Sequence, residues 1–159
     1  MAGAGGAASG AGGGVTGAGG VGGAGGALQA CTNLAPTGPA VVETAGSGSA
    51  PAAAGGTIAG GTYQLTAWAV YSPATPDVTR SRNLAMRFSG SNFEVAGTDS
   101  STDAVNYTAS WTTTNKTLTT TWTCGPTGSV QQGYTASSTQ LLILSPRSGG
   151  VEVETWTLQ

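Results

Sequence analysis

The chain has 159 residues, five basic and seven acidic side chains, no histidine and a formal net charge of −2. So few cations give no basic stripe to release counterions from nucleic acid and no polybasic patch for an anionic membrane surface. No run approaches the roughly 20 apolar residues of a spanning helix, and a surface carried by Thr, Ser, Asn and Gln, with only 8% charged residues, fits a secreted or envelope-displayed protein.

Residues 1–30 hold 14 of the 28 glycines and 9 alanines, with no charge and no aromatic ring. Glycine-rich chain loses the most backbone entropy on ordering and has no side chains to offset it, so this tract is expected to be a flexible tether. It lacks both the basic start and the apolar run of a secretory signal. That fits a mature or shortened form, with Met1 as an added start residue. Leu28-Gln29-Ala30-Cys31 superficially resembles a lipidation box, but the apolar run before it is missing. Residues 31–56, with Pro36, Pro39 and Pro51 among small residues, read as a linker. Within it Ala40-Val41-Val42 could add a strand or pack across a barrel end.

After Gly60-Gly61 the texture changes. All ten aromatic residues and all five basic ones follow residue 60. Thr62–Tyr71 alternates, with Tyr63, Leu65, Ala67, Ala69 and Tyr71 on one face, the period of a strand. Arg82–Phe88 alternates too, with Leu84, Met86 and Phe88 on one face and Arg82 assigned elsewhere. Ser89-Gly90-Ser91-Asn92 is a hairpin turn, Phe93 and Val95 carry the return, and Gly97–Asp103 reads as a polar loop. Val105–Thr113, then Leu118–Cys124, follow across a turn at Thr114-Asn115-Lys116. Leu118, Thr120, Trp122 and Cys124 are expected on one face. Gly133–Ala136, Gln140–Leu144, a turn at Pro146–Gly150 and Val151–Leu158 complete the pattern. About eight short strands, turn signals between them and no helical period predict an all-β antiparallel meander over residues 57–159. Closure into an up-and-down barrel removes the exposed edges and is favoured over a β-sandwich.

Gly61-Thr62-Tyr63 at the first strand, the hairpin meander and the final Val-Glu-Val-Glu-Thr-Trp strand resemble lipocalin-like (calycin) domains. The family's opening motif is Gly-x-Trp, where this chain has Tyr63. The Arg that the family often places after its last strand has no counterpart beside Gln159. The resemblance implies a small barrel with a central ligand site, and its pocket residues vary too freely to be carried over.

The absence of histidine removes the commonest general base and zinc ligand, and with it any Ser-His-Asp or Cys-His site. No catalytic residue, metal site or cofactor is expected. Asp99-Ser100-Ser101-Thr102-Asp103 has oxygen ligands spaced as for calcium, against the plainer reading of a solvated loop. Glu152 and Glu154 share a face, as an acid–base pair would, but charges guarding a strand against edge pairing are favoured. The Thr117, Thr119, Thr121, Thr123 ladder reads as ordinary outward-facing strand. Cys31 and Cys124 lack any C-x-x-C partner, so a disulfide between them is favoured over two separate thiols. Tyr63, Tyr107, Trp111, Trp122 and Tyr134 are candidates to fill the interior, and the first four also to line a ligand site. Trp68, on the opposite parity from Tyr63, is the candidate for a surface contact. Two functions follow: a non-catalytic barrel binding a small apolar ligand, or a structural module contacting protein or polysaccharide by its surface.

Overall fold

A computed structural model describes residues 30–71, 75–100 and 103–159. Its strands, in chain order, are β1 (Val41–Val42), β2 (Thr44–Ala45), β3 (Gly61–Tyr71), β4 (Ser81–Ser89) and β5 (Asn92–Asp99). They continue as β6 (Asp103–Thr114), β7 (Thr117–Cys124), β8 (Ser129–Ala136), β9 (Gln140–Arg147) and β10 (Gly150–Leu158). From β3 to β10 each strand pairs antiparallel with the next, and β10 pairs with β3. The expected eight-stranded up-and-down barrel therefore closes, leaving no free edge in the meander. Two expected loops are shorter than the sequence suggested, part of each being strand. β5 runs on through Asp99, and β9 includes Pro146, which pairs with Val151 beyond the last β8 partner at Leu144. A proline missing its N–H is tolerated where the strand has a partner on one side only.

The two ends of the barrel differ, and the sequence before residue 60 is the reason. At one end Ile58, Tyr63, Leu65, Phe88, Tyr134 and Leu141 pack into a solid core. Phe88 is its centre, with ring centroids 5.8 Å from Tyr63, 5.2 Å from Phe93 and 5.0 Å from Trp111. Aromatic contacts tilted or edge-on like these add to area burial. At this closed end β3 and β4 pair, from Gly61–Gln64 to Ala85–Phe88. Towards the other end they part, and residues 41–45 enter between them: Val41 and Val42 pair with β4, and Thr44 and Ala45 with β3. Barrel diameter grows with strand number, so this inserted strand widens the open end.

Residues 31–56, linker-like in composition, are thus laid against the barrel. The disulfide Cys31–Cys124 spans a sequence separation of 93, as expected from the two cysteines, and leaves no thiol at Cys31 for a lipid. Asn106 on β6 accepts from Thr32 N–H at 3.0 Å and donates to the Thr32 carbonyl at 3.0 Å. Thr37 N–H donates to Gln64 Oε1 at 3.0 Å. Further along, Tyr134 Oη donates to the Gly56 carbonyl and Tyr63 Oη to that of Ala59, so the strap caps the closed end.

Two bulges break the strict alternation expected from the sequence. On β3, Thr155 faces Ala67 and Trp156 faces Leu65, which leaves Thr66 unpaired. Thr66 and Ala67 are both exposed, and the inward set shifts from Tyr63 and Leu65 to Trp68 and Val70. On β7, Thr123 is the extra residue between Trp122 and Cys124. Cys124 then faces Thr108 on the outer wall, not the interior shared by Leu118, Thr120 and Trp122, and meets Cys31 there. Each bulge re-aims the side chains beyond it.

Candidate ligand-binding cavity

Inside the widened end lies a cavity of about 310 Å³. Alternation from the strands around it sets its lining. Leu84, Met86, Phe93, Leu118, Ile143 and Trp156 form its apolar floor, and Val95, Val105, Tyr107 and Trp122 its walls. Gln132 and Ser145, joined at 2.6 Å, and Thr120 add neutral polar groups. Four charged side chains complete the lining: Arg82, Asp99, Glu152 and Glu154.

Arg82 lies at the centre of these charges. It has the parity of Leu84, Met86 and Phe88 and points inward with them, so the expectation that placed it off their face is corrected. Its Nη1 donates to Glu152 Oε1 and Glu154 Oε1, both at 2.6 Å, and its Nε is 3.1 Å from Asp99 Oδ2. The guanidinium carbon stands 3.9 Å from the Trp68 ring centre, a cation–π contact in a desolvated setting. Burial works against the charge on Arg82, but Glu154 and Glu152 outweigh it and hold the guanidinium above its ordinary pKa.

The inserted strand contributes the next layer. Glu43, between β1 and β2, is fully buried. Its carboxylate accepts from Arg147 Nη1 at 2.7 Å, Arg80 Nη1 at 3.4 Å and Asp77 N–H at 3.0 Å. Arg80 also reaches Asp99 at 3.5 Å, and Arg147 lies 3.8 Å from Glu152 Oε2. One continuous array of three arginines and four carboxylates therefore rings the wide end, in a chain with only five basic and seven acidic groups. Burial is the largest influence on Glu154 and raises its pKa. The Arg82 charge pulls the other way, and neighbouring Glu152 adds to the rise. Burial also disfavours charge on Asp99, yet the Arg82 hydrogen bond and charge prevail and lower its pKa.

Of the residues expected from sequence to line a site, Tyr107 and Trp122 do so. Tyr63 is in the solid core. Trp111 lies at the closed end, its edge against Phe88 and its Nε1 donating to the Gly90 carbonyl at 2.9 Å. Trp68 is only 1% exposed. It offers no surface contact, because the Thr66 bulge turns it inward beneath Arg82. Glu152 and Glu154 do not guard a solvent edge: their side chains are 14% and 12% exposed and face the interior. The signal for both was present in the sequence, since they share parity with Trp156 and Arg82 shares parity with Phe88. Of the segment weighed as a calcium loop, Ser101 and Thr102 lie outside the described residues. Its Asp99 is taken up by arginines. Among the described residues no group of three or more Asp, Glu or Cys side chains is placed to hold a metal ion.

No protein family, no curated protein and no solved structure matches the chain.

Proposed function

We propose that this chain is a non-catalytic, lipocalin-like carrier domain that binds a small amphipathic molecule in the wide end of its barrel. The observation that carries this reading is the cavity: an apolar floor, a few convergent polar groups at one end, and one solid, capped end opposite. Small-ligand sites have this composition, and their volumes begin near about 300 Å³. A volume near 150 Å³ is enough for benzene, so a two-ring body is of suitable size. The alternative of a surface-contact module has less to rest on, since none of the ten aromatic rings is exposed and, among the described residues, the large exposed apolar side chains are Val42, Val78 and Val130.

The reading is tested by calorimetric titration of the protein with naphthylethanol, a neutral two-ring probe. Saturable one-to-one binding is expected. Gln132→Trp, which places an indole in the cavity from half-buried β8, should abolish that binding while the melting temperature changes little. Absence of binding to the native protein, or undiminished binding to a folded Gln132→Trp variant, would refute the proposal.

A further inference from the structure

The charges lining the cavity are unequal, and this bears on the ligand. Resting on the binding reading above, we propose that the ligand carries a protonated amine, seated against Glu152 and Glu154, with its apolar body between Leu118, Ile143, Trp122 and Trp156.

Three carboxylates and one guanidinium line the cavity. The surrounding array does not restore the balance, because Arg80 and Arg147 are both engaged by Glu43, which adds a fourth carboxylate. One carboxylate therefore lacks a counter-charge. Burial of that excess charge is costly unless a cation or a proton meets it, and burial, with Glu152 beside it, raises the pKa of Glu154. An ammonium group entering the cavity would meet it instead.

The geometry leaves an acceptor for such a group. Glu152 Oε1 is bonded to Arg82, while Oε2 is 3.8 Å from Arg147 Nη1, beyond hydrogen-bond reach. An anionic ligand would have to share a guanidinium that three carboxylates already face. Arg82 Nη1 is already shared by two carboxylates, its Nε faces Asp99 and its plane lies on Trp68. An anion would join three carboxylates in a poorly hydrated space, where like charges repel strongly. A bare metal ion is a poorer match than an organic cation. The described carboxylates do not converge as a metal shell, and the aromatic walls suit an apolar body that carries its own charge.

The test uses three probes of one body: naphthylethylamine, naphthylethanol and naphthylacetic acid, each titrated calorimetrically into the full chain at neutral pH. A charge-assisted hydrogen bond to a carboxylate makes the amine bind about tenfold tighter than the alcohol, with the acid weakest. Glu152→Gln should erase the preference for the amine while the alcohol still binds. Glu94→Gln, on the outer wall in an ion pair with Arg87, should leave the preference intact. Equal binding of amine and alcohol, preference for the acid, or an amine preference that survives Glu152→Gln would each overturn the inference and leave the cavity reading standing. If none of the three probes binds, the cavity reading itself falls, and this inference with it.

Discussion

Gly97 shows how little room single positions allow. It lies in β5 opposite Leu84 and Val105 with φ near +139°, and a Cβ added there would come within 1.9 Å of the Asn83 carbonyl oxygen. The backbone cannot yield without breaking the β4–β5 ladder. Gly97→Ala should therefore cost about 3 kcal/mol or more in chemical denaturation, whereas Gly90→Ala, at a turn with open space around it, should cost about 1 kcal/mol. Glu154 gives a prediction about pH. Because its folded pKa is raised, the native state holds its proton more tightly than the unfolded chain. Its contribution is then favourable below the ordinary value of 4.5 and is lost as pH rises through the folded value. Asp99, whose pKa is lowered, works in the opposite sense: its contribution is present above 3.8 and is lost as pH falls. Glu154→Gln keeps an acceptor for Arg82 and removes the titration. Its melting temperature relative to the native chain should rise as the pH is raised above 4.5. A difference independent of pH would contradict this. At this scale the sequence was half legible. Inward positions such as Leu84, Met86 and Phe88 follow from alternation, but the same alternation put Arg82, Glu152 and Glu154 inside, where charge is rarely expected. Only their mutual pairing, which sequence does not display, makes that placement tenable.

Among the elements, the strap before β3 matters most. Its strands are two residues each, too short for pattern recognition, and its proline-, glycine- and alanine-rich composition is that of a linker. What fixes it is long-range: a disulfide, the Asn106 bonds and the buried Glu43 carboxylate. The eight barrel strands were legible because each has alternation and a turn at its end. The bulges were not, because a single extra threonine among threonines leaves the composition unchanged. Thr66 and Thr123 nevertheless decide where Trp68 and Cys124 point. Removing Glu43 with Glu43→Ala leaves Arg80 and Arg147 without that partner. Both are about 30% exposed or less and can regain some water, so a loss of about 2 kcal/mol is expected. Amide exchange should quicken at Glu43 and Gly46, whose N–H groups hold the insert to Arg80 and Val70, more than at β7. Uniform acceleration along the chain would show that the insert has no separate stability. Cys31→Ser opens a loop spanning 93 residues of separation and should cost about 4 kcal/mol in denaturant unfolding on the chain-entropy account. An unchanged midpoint would rule that account out.

For the molecule as a whole, the two barrel ends are assigned different work. The capped end, rich in packed aromatics, supplies much of the stability. The end widened by residues 41–45 retains a cavity that costs packing energy and is held in shape by an ion-pair array. A barrel used only as a rigid support would gain by filling that space. Methyl NMR on the full chain, during titration with naphthylethanol, separates the two uses directly. The account expects saturable shifts at Val105, Leu118 and Ile143 in the cavity, with Leu65 and Leu141 in the packed core unmoved. Shifts confined to the outer wall, or no shift at any of the cavity methyls, would contradict it.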